Sequence, residues 1–241
     1  MRTAVFAFFM AMFAMLCSSV VASKAVETCT APKTSKSTAA FDATVDFLVK
    51  EQSSIVVKAF ADVCTDADIS EAVSSHLNVK ITGLINVDFG LGSKLSAALH
   101  SSIKANVKAE VDAQIKAEFT KNLKANIAAI IVKKCPNKDA ASIRLQSKYI
   151  VSEAAKLTVK ASAKISAKIQ ANLAAKVKAA IDLQVKKFSV NLLLVKINVT
   201  GDVKVCSSLS TKFKAAVELC TKACADIQAK EVSKVKAICA K

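Results

Sequence analysis

The sequence predicts a mainly α protein: a long antiparallel helical hairpin, shorter flanking helices and a small two-segment β pair. Three observations carry this. Residues 93–134 and 140–187 contain no glycine and no proline, so nothing in them breaks a helix. Large apolar residues recur every four positions through both segments, with alanine and lysine between them. The order of elements is close to a palindrome about Pro136, which favours a hairpin turning at that residue.

Residues 1–23 read as a cleaved secretory signal peptide. Arg2 supplies the positive start, Ala4–Leu16 the unbroken apolar run, and Ser18–Ser23 the small-residue exit. The run is short for a membrane span of roughly 20 residues. The expected product is residues 24–241, a single elongated domain, secreted and extracellular.

Charge divides that product. Residues 24–75 hold five lysines against eight acids, and residues 76–241 hold 29 basic residues against 11 acids. A weakly acidic helical head therefore precedes a strongly basic body. In the head, Phe41, Val45, Leu48, Ile55 and Ala59 follow helical spacing, and Ser37 or Thr38 can cap the start. That helix is expected to stop near Cys64, before an acidic turn at Thr65–Asp68.

Residues 77–91 change period. Leu77, Val79, Ile81, Ile85, Val87 and Phe89 mostly alternate with polar residues, and Gly83, Gly90 and Gly92 bracket them. This predicts an extended segment, with a second one over 189–205 around Gly201. The turn at 135–139 joins the long helices, and a last helix covers 207–241 with Leu209, Phe213, Cys220, Cys224 and Val235 on one side. The two extended segments would then pair beside each other, with the terminal helices and most cysteines at that end.

The repeat carries a conflicting signal. Large residues at 103, 107, 111, 115, 119, 123, 127 and 131 make a helical stripe. Yet between 77 and 131, 24 of 28 odd positions are apolar against four of 27 even ones, as in a strand with one buried face. The alternative fold is thus an elongated amphipathic β or α+β groove. Alanine and lysine favour helix over strand, and strands seldom exceed about 10 residues, so the helical reading prevails.

Catalytic constellations are missing: there is no H-E-x-x-H, no G-x-S-x-G and no phosphate-binding glycine loop. The chain is not expected to be an enzyme, and neither a cofactor nor a metal is expected. Glu110, Asp112 and Glu118 read as surface acids paired with Lys108 and Lys116 on the same helix. Export makes Cys29, Cys64, Cys206, Cys220, Cys224 and Cys239 disulfide candidates. Cys135, at the far tip, is the odd thiol, left outside the pairing or joining two copies into a homodimer. Asn198 opens an N-glycosylation sequon with Val199 and Thr200.

What remains is amphipathicity with positive charge. Residues 93–187 hold 19 basic residues against six acids, and Lys156, Lys160, Lys164, Lys168 and Lys176 repeat along one face as a basic surface. Beyond the signal region the one arginine is Arg144 and the one tyrosine is Tyr149. Nucleic-acid readers use arginine forks and aromatic stacking, so nucleic acid is not an expected partner. The sequence therefore points to a lysine-rich, disulfide-stabilised, surface-active structural or interaction protein that binds an anionic surface (membrane, cell wall or glycan). One alternative is a carrier of lipid or another apolar ligand. Another is a secreted membrane-active or host-directed factor.

Overall fold

The computed structural model describes residues 35–83, 91–190 and 195–240. The signal region, Cys29 and residues 84–90 and 191–194 lie outside the described residues.

Helix α1 spans Ser35–Val63, α2 Asp66–His76, α3 Leu91–Ile115, α4 Lys121–Lys134, α5 Ala140–Val190 and α6 Asp202–Ile238. A single π-turn, Lys116–Thr120, joins α3 to α4 without interrupting the rod. Strands β1 (Asn78–Gly83) and β2 (Val195–Thr200) pair antiparallel, with Val79 opposite Val199 and Ile81 opposite Ile197. Their apolar side chains turn to the helices, while Lys80, Thr82, Lys196 and Asn198 face solvent.

The α3–α4 rod and α5 form the expected antiparallel hairpin. The turn is set by Lys138, whose φ is 55°, and by Asp139. The Asp139 Oδ1 accepts from the Ser142 backbone N–H at 2.8 Å and caps α5. Helix α6 packs along α5 and α1, and α1 also touches α5, so four long helices enclose one apolar core. The stripe of large residues from Ile103 to Ile131 is buried throughout.

The β-groove alternative therefore fails, because the repeat is helical along its whole length. A stripe of period four drifts about 40° per tetrad on an α-helix. Two features absorb the drift. The π-turn, whose Lys121 N–H reaches back to the Lys116 carbonyl, holds more residues than an α-turn. The neighbours also change, with α3 packing chiefly on α5 and α4 packing on both α1 and α5.

Three boundaries differ from expectation. The acidic turn after Cys64 is the start of α2, where Thr65 and Asp68 form a capping box. Extension over 189–205 is confined to β2 in its described part, because α5 continues to Val190 and α6 begins at Asp202. Gly201, with φ 99°, makes that strand-to-helix corner. The terminal helices do not gather at the sheet end. They run the length of the bundle, so Phe41 of α1 lies under the Lys138 ammonium at 4.8 Å and Cys239 reaches Thr44.

Candidate functional site

Each position of the tetrad has its own surroundings. The large residue enters the core. The residue after it, on α3 and α4, faces the acidic head: Lys104 pairs with Asp66 at 2.6 Å, Lys108 pairs with the same carboxylate, and Lys124 meets Asp46 at 2.8 Å. The alanine in the middle, at 105, 109, 113, 117, 163, 167, 171, 175 and 179, is exposed. These alanines promote helix and do not bring helices together.

The position before the large residue joins α3 and the π-turn to α5. Glu110 is buried and holds Lys176 at 3.1 Å, Asn172 at 2.7 Å and Gln114 at 2.9 Å. Glu118 holds Lys164 at 2.6 Å and also Lys168. Eight residues forward on one helix match eight back on the other, as an antiparallel pair requires. This corrects the expected pairing of Glu110 and Glu118 with lysines of their own helix. Burial raises the Glu110 pKa, but the bonds from Asn172, Gln114 and Lys176 outweigh it and hold the carboxyl below its usual range.

The five lysines of the repeat therefore divide. Lys176 binds Glu110 of α3, Lys164 and Lys168 bind Glu118 of the π-turn, and Lys156 binds Glu153 of its own helix at 2.8 Å. Lys160 is exposed. Part of what reads as a basic surface is a latch within the fold.

The disulfide expectation is overturned. Among the described residues Cys64, Cys206, Cys220, Cys224 and Cys239 are free thiols, and Cys135 is buried at the hairpin turn. The reason is axial spacing. Cys206, Cys220 and Cys239 lie along one helix, more than 20 Å apart in each step at about 1.5 Å per residue. Cys64 sits against α3 instead, and Cys239 lies at the hairpin end rather than the sheet end. Cys220 and Cys224 turn into the core. Burial pushes Cys64 and Cys224 up to about 12 and Cys220 up to about 11, which suppresses the reactive thiolate. Asn198 is exposed on β2.

One polar cluster was missed from sequence. Gln52, Thr158, Cys224 and Glu231 meet in the core between α1, α5 and α6. The signal was available: Glu231 sits four residues from both Ile227 and Val235, on the apolar stripe of α6. Among the described residues, no group of His, Cys, Asp and Glu could hold a metal ion. His100 bonds the Ser70 carbonyl at 2.8 Å.

The surface has a groove of about 550 Å³ beside the π-turn, with Val57, Phe60, Val111 and Ile115 below and Asp66, Lys108 and Lys116 at the rim. Among the described residues, no helix is long and apolar enough to cross a membrane. Compared with protein-family models, curated proteins and solved structures, the chain matches none.

Proposed function

We propose that the protein is a secreted structural or interaction protein: a closed helical rod that binds an anionic surface through its excess lysine. The observation that carries this reading is the charge left outside the internal latch. Lys133, Arg144, Lys148, Lys214, Lys222 and Lys230 are exposed, and among the described residues none of them is in an ion pair. Fields of this kind attract polyanions and anionic bilayers and weaken with salt. The test is retention on an anionic polysaccharide resin and sedimentation with anionic vesicles. Binding released at about 1 M salt supports the reading; indifference to both surfaces sinks it.

The carrier remains a second reading because of the groove beside the π-turn. The core itself is filled by the repeat's own side chains, which favours the closed rod. An apolar ligand recovered in equimolar amount from the purified protein would move the assignment to a carrier.

A further inference from the structure

Exposed apolar side chains on this protein mostly sit beside an acid. Leu183 follows Asp182, Val203 follows Asp202, Leu219 follows Glu218, and Val57 lines a groove with Asp66 and Asp112. The hairpin tip differs. Residues 132–149 hold five cations and one acid. That acid, Asp139, is turned inward as the cap of α5. Asp42, the next acid on α1, acts on Lys124 instead.

On this tip Leu145 is 65% exposed and Val132 36%. Tyr149 and Lys148 lie four and three residues beyond Leu145, on the same outward face of α5. Lys134 of α4 places its ammonium 5.0 Å from the Tyr149 ring centroid, which ties both helices into one patch. Lys133, Arg144 and Lys148 are exposed around it. An apolar anchor beside a half-buried tyrosine and ringed by cations has the chemistry of a bilayer interface, where aromatics sit at headgroup depth and cations meet lipid phosphate and carboxylate.

We infer that the α4–α5 tip docks on an anionic lipid bilayer, inserting Leu145 and engaging headgroups with Lys133, Lys134, Arg144 and Lys148. This rests on the anionic-surface reading and gives it a lipid partner and a place. The contact is interfacial, since no described helix spans a membrane. Binding is salt-sensitive and absent on neutral lipid.

The test is partitioning onto phosphatidylcholine vesicles with about one-third phosphatidylserine. Each cation near such a surface is worth about fivefold in affinity. The Lys134→Gln, Lys148→Gln double variant should therefore bind about twenty-five-fold more weakly. A Lys214→Gln, Lys222→Gln double variant removes the same charge from mid-α6 and should lose only about twofold. The chain has no tryptophan, so Leu145→Trp supplies a lone reporter. Its emission should shift to the blue on these vesicles, and that of Val203→Trp, at the sheet end, should not. Equal weakening by the two double variants, or equal shifts from the two reporters, overturns the inference but leaves the anionic-surface reading standing. So does a wild-type protein that ignores these vesicles yet is retained by the polysaccharide resin. A protein indifferent to both removes the inference and the reading together.

Discussion

Gln52 Nε2 donates to Glu231 Oε1 at 2.8 Å across the interface of α1 and α6, with both side chains buried. Thr158 Oγ1 completes the chain by donating to Gln52 Oε1 at 2.6 Å. The second carboxyl oxygen, Glu231 Oε2, is buried with no hydrogen-bond partner. A carboxylate held this way is costly in its charged form.

Stability should therefore depend on pH through Glu231. Burial raises its pKa, the Gln52 bond opposes this, and the nearby Glu51 adds to the rise, leaving the group at about 7 against an ordinary 4.5. The folded state then binds a proton that the unfolded chain releases between those values. The contribution is full below about 4.5, shrinks as pH climbs, and is gone above 7. A shift of that size corresponds to about 3 kcal/mol. Urea unfolding should show a fall in stability from pH 5 to 8, and Glu231→Gln should flatten it. Asp66, Asp68, Glu118, Glu110 and Asp139 are all held below their usual ranges, so stability should fall again below about pH 4. A flat wild-type profile between pH 5 and 8 would refute the assignment to Glu231.

Gly201 and Gly92 should respond oppositely to alanine. At Gly201 the backbone has φ 99°, and an added Cβ would lie 1.8 Å from the His76 carbonyl oxygen. No rotation of a side chain relieves a clash with backbone. Gly201→Ala should cost about 3 kcal/mol or more, because the corner joining β2 to α6 must move. Gly92, in the first turn of α3, has nothing within 4 Å of its added Cβ. There alanine should be neutral or add about 0.5–1 kcal/mol. Thermal unfolding of the two variants compares them directly, and equal effects would contradict the corner's geometry.

The hairpin was legible because local preference and turn chemistry agreed there: no breaker inside the repeat, and Cys135-Pro136-Asn137 between its halves. The odd–even alternation points to a strand because alanine counts as apolar. Seven of the 24 apolar odd positions are alanine, and Ala105, Ala109, Ala113 and Ala117 among them face solvent. Helix α2 was hidden because Thr65–Asp68 has turn composition, although Thr65 and Asp68 also form a capping box. Compartment and cysteine number point to disulfides. Neither says where each sulfur falls along a helix. Glu231 is a polar interruption of the α6 stripe, and apolar periodicity alone does not register such interruptions.

The latch that α3 and the π-turn make with α5 should be uneven. Glu110 carries three partners in a buried setting, with its side chain only 6% exposed. Glu110→Ala removes three side-chain bonds made to a buried carboxylate and, since water can reach Asn172 and Lys176, should cost about 1 kcal/mol. Glu118 meets lysines that are themselves 63% and 47% exposed, so water can replace the contact, and Glu118→Ala should cost less. A double-mutant cycle on Glu110 and Lys176 should give a favourable coupling. If the Glu118 variant were the less stable of the two, the ordering by burial would be wrong.

Thiol accessibility follows from the cysteines' levels in the bundle. Cys206 is half-buried near the start of α6, and burial together with Asp202 raises its pKa. Cys64, Cys220 and Cys224 are buried with pKa values of about 11–12. At neutral pH a maleimide should label Cys206 before Cys64, Cys220 and Cys224, which should react only as fast as the bundle opens. Peptide mapping after brief labelling reads the order. Mild urea, below the unfolding midpoint, should speed labelling of the buried three and leave Cys206 nearly unchanged. Labelling of Cys224 ahead of Cys206 in buffer would show that the core beside Glu231 opens more readily than its packing allows.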